Sequence, residues 1–184
     1  MNHAYRPTWL EIRPANIQYN CETVRKLVGN DVKICAVVKA NGYGHGAVEV
    51  SKACLAAGAE FLAVAMLSEA MELREAGFTC PILILGWTPE EGYALAIQHE
   101  IRMALFNLDE AKQLNEKALT MGKKALVHLK LDTGMSRIGL QADEAGLFAA
   151  EKIMQMEGIE VEGIFSHFSK ADEADKTFAR NQLA

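Results

Sequence analysis

Lys39 is the residue best placed to do chemistry. It ends the apolar run "KICAVVK" (residues 33–39) and is followed by "ANGYGHG", where Gly42, Gly44 and Gly46 interleave with Tyr43 and His45. In parallel α/β folds, reactive groups collect beyond the carboxyl ends of the strands. Alternation puts Cys35, Val37 and Lys39 on one face of this strand and Ala36 and Val38 on the other. Partial desolvation at such a position lowers an amine's pKa and makes it a nucleophile able to form a Schiff base with an aldehyde. Pyridoxal phosphate is the leading candidate, because its phosphate suits helix N-termini and glycine-rich backbone. The competing reading is a surface lysine snorkelling at a strand end.

A second stretch, "VHLKLDTGMSRIGL", alternates His128, Lys130 and Asp132 with Val127, Leu129 and Leu131. In a barrel strand the apolar set faces the helices and the polar set the interior. Three ionisable groups there are costly unless paired with each other or with a ligand; on a solvated edge strand the same alternation is ordinary. Arg137 follows in a turn bracketed by Gly134 and Gly139. Its permanently charged fork suits a phenolate, carboxylate or phosphate. A third segment, "FSHFSKADE", carries His167 near a strand end on the face of Phe165, where a histidine is either a ligand group or a satisfied core residue.

The elements that must position these residues alternate regularly. "TWLEIR" reads as a short opening strand, and residues 15–28 as a helix stopped by Gly29. From Lys33 onward six strand-then-helix units follow, on the strands "KICAVVK", "EFLAVAM", "CPILILG", "IRMALF", "ALVHLKLD" and "VEGIFSHFS". Ser68 is expected to cap the helix "SEAMELREAG", with Gly77 past its end, and "TPEEGYALAIQHE" has the cap, first-turn proline and early acids of a helix start. This alternation predicts a parallel sheet with right-handed crossovers, as a doubly wound sheet or a (β/α)8 barrel. Strands such as "ICAVVK" and "ILILG" are apolar on both faces, as either fold requires. A barrel needs eight units, so the chain, which stops inside a helix, reads as a partial barrel domain over residues 1–184.

Half of the 184 residues are apolar and 23% are charged, which supports a real core. A formal charge of −5 argues against nucleic acid or an anionic membrane as the main partner. Cys21, Cys35, Cys54 and Cys80 form no C-x-x-C pair, which fits reduced thiols in a cytoplasmic protein better than a disulfide frame or a zinc site. No apolar stretch is long enough to span a bilayer, and the start has no signal-peptide core. No metal site is expected.

The segment "AVVKANGYGHG" resembles the pyridoxal-lysine motif of alanine racemases, which usually have alanine where this chain has Gly42. The pattern K-x-D-T-G-M-x-R-x-G (residues 130–139) is characteristic of the same family. "SHFSKADE" is similar to its T-H-F-A-x-A-D-E segment, with Ser166 and Ser169 replacing threonine and alanine, and "RPTWLEIRPANIQYN" is similar to its start.

The resemblance implies a TIM-type barrel and interconversion of L- and D-alanine, which supplies D-alanine for peptidoglycan. Lys39 would carry pyridoxal phosphate and act as base on one face of the substrate. Tyr43 would reach the cofactor phosphate and His167 would pack on its ring. Arg137 would bond its phenolic oxygen and lie near the substrate carboxylate. Lys130 would be carbamylated and hold Arg137, because an unmodified lysine would repel that arginine.

A tyrosine from the partner subunit's C-terminal β-domain would be the second base, in a homodimer, with residues 1–13 as a leading strand joining that domain. That domain, the arginine facing the pyridine nitrogen and most phosphate ligands are expected beyond Ala184. The 184-residue stretch alone is therefore expected to fold poorly and to be no competent racemase. Two rivals are a non-catalytic pyridoxal phosphate carrier and a doubly wound nucleotide binder. The carrier leaves "HLKLDTGMSR" unexplained; the binder needs a glycine-rich phosphate motif that "GYGHG" does not provide.

Overall fold

Pro14 opens α1 (Pro14–Val28), where its fixed φ suits the helix and its missing N–H is no loss. Gly29, at φ 79°, ends it and donates its N–H to the Arg25 carbonyl at 3.0 Å. The computed structural model describes residues 9–184. The described residues form two compact units, divided between Ala63 and Val64. The strand expected at the start falls partly outside the described residues, and residues 9–13 form neither helix nor strand. An extended segment becomes a strand only by joining a ladder, and none of the described strands offers it one.

In the first unit, α1 is followed by β1 (Cys35–Val37), a short turn α2 (Lys39–Tyr43), α3 (Ala47–Ala56) and β2 (Phe61–Val64). β1 and β2 pair in parallel, with Cys35 opposite Phe61. Cys21 and Cys54 pack with Ala59, Ile17, Ile34 and Val50 between α1 and α3. Burial and the neighbouring Cys21 push the Cys54 thiol up to about 11, so it stays protonated. No cysteine is in a disulfide. The expectation that β1 is covered on both faces does not hold: Ala36 and Val38 turn inward, but Cys35 is exposed and Val37 is 40% exposed. Apolar composition permits burial, and neighbouring elements must supply it.

Arg25 holds this unit's chain reversals together. Its guanidinium donates to the carbonyls of Gly29, Val32 and Gly58 and to both carboxylate oxygens of Glu60 at 2.9 Å. Glu60 in turn accepts the Ile34 N–H at 2.7 Å, which, with Arg25, keeps its carboxyl below the usual range.

The second unit begins with α4 (Leu67–Glu75), then β3 (Ile82–Ile84), α5 (Tyr93–Gln98), β4 (Arg102–Leu105), α6 (Leu108–Thr120) and β5 (Ala125–Asp132). It continues with β6 (Leu140–Gln141), α7 (Glu144–Met154), β7 (Ile159–Phe165) and α8 (Thr177–Leu183). β3 pairs with β4 and β4 with β5, while β5 also pairs with β7 and, at its end, with β6, all in parallel. The predicted strand–helix order is recovered; β6 is an unpredicted two-residue bridge.

Two predicted caps are corrected. Ser68 lies inside α4, whose N-cap is Met66, and Glu69 instead reaches back to the Ala65 N–H at 2.6 Å. Thr88 is buried and caps nothing; the segment starts as a 3₁₀ turn at Glu90–Gly92 before α5. Asn107 and Asp143 do cap α6 and α7 through their side-chain oxygens. Replacing Arg25 by Ala is expected to cost about 1 kcal/mol, because three carbonyls lose a shared donor together but remain open to water. Denaturant unfolding of the variant checks this.

Candidate active site

Lys39 stands one residue past the buried Val38, whose N–H completes the β1–β2 ladder by donating to Ala63 at 2.8 Å. It is itself partly exposed. The chain then turns left-handed: Ala40, Asn41 and Tyr43 have φ of 51°, 54° and 53°, and Gly42 has φ 61°. For a side-chain-bearing residue this conformation costs about 1–2 kcal/mol each. Local bonds offset the strain. Gly42 N–H donates to Val38, Gly44 to Ala40 and Gly46 to Asn41, at 2.8–3.0 Å. The Asn41 side chain accepts the Ala47 N–H at 2.9 Å and so anchors the turn to α3.

Gly42 is buried in this turn and takes a backbone conformation that glycine adopts without strain. A methyl group there would sit 3.0 Å from Val50 Cγ2. Glycine relaxes a turn that alanine would crowd. The same turn leaves Tyr43 59% exposed, with its phenol open to solvent.

In the second unit, the three ionisable residues of β5 do not pair with each other. Lys130 is 3% exposed, lies 5.5 Å from the centre of the Phe165 ring, and donates to the Leu131 carbonyl. Burial lowers its pKa; Asp132 opposes this and Arg137 adds to it. Asp132, 8% exposed, accepts the Ser136 and Gly134 N–H groups, each at 2.9 Å. Those bonds, with help from Lys130 and the Arg137 N–H, hold its carboxyl below the usual range. The carboxylate thus shapes the turn and presents Arg137, which is exposed.

His128 turns to Glu162 instead, 3.9 Å away, and Glu162 is held by Arg102 through two bonds of 2.8 and 3.0 Å. Burial lowers the His128 pKa, against the pull of Glu162. The register slips here: Val127 faces Val161, but His128 faces Gly163. Glu162 is the extra residue of a bulge. Any side chain at Gly163 would meet His128 Nδ1 at 2.9 Å.

His167 lies two residues beyond β7 and is exposed, so strand alternation does not carry it onto the face of Phe165. It is His128 that meets Phe165 edge-on, at 6.5 Å and 64°. Residue spacing alone does not point to the Arg102–Glu162 pair. Its one sign was a glutamate inside the apolar strand "VEGIF". Among the described residues no group of three His, Cys, Asp or Glu could hold a metal ion, and no helix is long and apolar enough to cross a membrane.

The sequence profile of the family described as alanine racemase, N-terminal domain, matches residues 12–184. The chain is 48% identical over 177 residues to the alanine racemase of Desulforamulus reducens, covering 96% of this chain and 48% of that protein. It is similar in structure to the alanine racemase of Clostridium difficile 630, with a TM-score of 0.93 and 42% identity, over 98% of this chain and 47% of that one. A histidine racemase from Leuconostoc mesenteroides subsp. sake NBRC 102480 is also similar, with a TM-score of 0.89 and 28% identity, over 99% of this chain and 49% of that one.

These likenesses place the chain in the α/β class of the (β/α)8 TIM-type barrel. It belongs to the alanine racemase family, in the N-terminal domain. It spans about half the length of the curated relatives it matches.

Replacing Asp132 by Ala is expected to cost about 2–3 kcal/mol by stranding the turn's amides, and Asn less, since it keeps an acceptor. The folded carboxyl titrates below its unfolded value of about 4. Its contribution is therefore present above that pH and lost as pH falls through the folded value. Stability measured against pH should show a shallower acid decline in Asp132→Asn.

Proposed function

We propose that this chain supplies the pyridoxal-phosphate-binding part of an isomerase that interconverts L- and D-alanine. The observation that carries this reading is Lys39 at a strand end, followed by a strained left-handed turn. Strain of that kind persists at sites where function requires a fixed backbone. The donor set fits the cofactor: a primary amine at Lys39, an exposed phenol at Tyr43, and in the second unit Arg137 on its ordered turn. Pyridoxal phosphate, when bound, supplies an electron sink that acidifies the α-hydrogen of an attached amino acid.

Lys39 would hold the cofactor covalently through Nζ and, once released, take or return the α-proton on one face of the substrate. Tyr43 would donate to the phosphate. Arg137 would donate to the phenolic oxygen and orient the substrate carboxylate. His167 would pack against the ring. Lys130 is proposed to be carbamylated. Its burial favours the neutral amine, the form that adds carbon dioxide, and the anion formed would pair with Arg137 instead of repelling it.

Inversion requires a second base on the opposite face. We assign it to a tyrosine of a C-terminal β-domain contributed by the partner in a homodimer. The preference for alanine rests on the names of the relatives, since a histidine racemase shares this half of the fold. We place the protein in the cytoplasm, supplying D-alanine for peptidoglycan. Nucleic acid and membrane are not proposed as partners.

After incubation with pyridoxal phosphate and reduction with borohydride, peptide mass mapping is expected to find the adduct on Lys39, and none there in Lys39→Ala. Equal labelling scattered over surface lysines would overturn the reading.

A further inference from the structure

We propose that Gln182 is a positioning residue that ties the segment carrying His167 to the turn carrying Arg137, so that the two behave as one body. Its role at the site rests on the reading proposed above; the tie itself stands on geometry. The carboxamide of Gln182 is used on both sides. Oε1 accepts the Ser169 N–H at 3.0 Å and the Ser169 hydroxyl at 3.2 Å. Nε2 donates to Thr133 Oγ1 and to the His167 carbonyl, each at 3.1 Å. The orientation follows from the partners: a backbone N–H can only donate and a carbonyl can only accept, so oxygen must face Ser169 and nitrogen must face His167. Thr133 and Ser166 also share a hydrogen bond between their hydroxyls.

Thr133 directly follows Asp132, whose carboxylate gathers the amides of the Arg137 turn. One side chain on α8 therefore reaches both the connection after β5 and the connection after β7. Phe178, one helical turn earlier on the same face, supports the arrangement. A side chain at Gly134 would sit 3.0 Å from its ring, so α8 lies directly on the backbone of the turn. No other side chain of similar length serves. Glutamate has no N–H for the His167 carbonyl, asparagine is one methylene short, and leucine makes none of these bonds.

The test is hydrogen exchange across residues 165–170 in the protein without cofactor, for wild type, Gln182→Leu, Thr133→Val and the double variant. Thr133 meets Ser166 directly, so the variants are compared at the Ser169 N–H, which is joined to the Thr133 hydroxyl through Gln182. Each single change should speed exchange there about tenfold, the loss of roughly one well-formed bond's protection. The double variant should be no faster than the quicker single variant, because both changes break the same tie. Unchanged exchange in the single variants, or effects that simply multiply in the double variant, would overturn the proposal.

A second reading uses pyridoxal phosphate itself. The fraction retained on Lys39 after gel filtration should fall in Gln182→Leu and stay at the wild-type level in Asn181→Ala, a neighbour outside the network. Equal retention in both variants would overturn the positioning role. Failure of the wild-type protein to hold pyridoxal phosphate would defeat the proposed function, while the exchange result would still decide the tie.

Discussion

A parallel strand that ends cannot turn back tightly on itself, so the backbone groups of its connection must find partners elsewhere. Meeting that demand with single polar side chains shapes this molecule. Asp132 gathers the amides of the turn after β5. Asn41 closes the turn after Lys39 onto the start of α3. Arg25 satisfies three carbonyls in two connections of the first unit, the one between α1 and β1 and the one between α3 and β2. Arg74 does the same in the second, donating to Phe78 and Cys80 at 2.8 Å and to His99 at 3.1 Å. Each is a polar group on an otherwise apolar frame, and each decides the path of a loop.

The candidate chemistry draws on the same device. Lys39 is followed by backbone that an unconstrained chain would avoid, and the bonds of the turn keep it there. Arg137 projects from a turn whose shape Asp132 dictates. Lys130 is buried, and that burial disfavours its cation even though the face of the Phe165 ring attracts one. The residues best suited to act on a ligand are thus carried by neighbours that act on the backbone.

Much of this was legible in the sequence. Apolar runs of strand length alternating with helical periodicity announce a parallel α/β fold, because both signals are local. The lysine at a strand end and the K-x-D-T-G-M-x-R pattern stand out for the same reason. Where the reading failed, a residue-type signal met a competing arrangement that the residue type alone does not contain. Ser68 has a capping side chain, but the helix begins at Leu67, two residues before the start that a Ser68 cap would set, and it is Glu69 that reaches back to the Ala65 N–H. Thr88 has the same chemistry and is buried instead. His167 continues the alternation of β7 on paper, yet the ladder stops at Phe165.

By itself the sequence determined the order and type of the elements, their parallel pairing, and which side chains could carry chemistry. These follow from residue type and short-range period. Only the tertiary structure decided the left-handed course after Lys39, the bulge at Glu162 that turns His128 aside, and the span of Gln182 to a hydroxyl 49 residues away. Such features arise from bonds between groups far apart along the chain. Their geometry exists only once the strands and helices have brought those groups together.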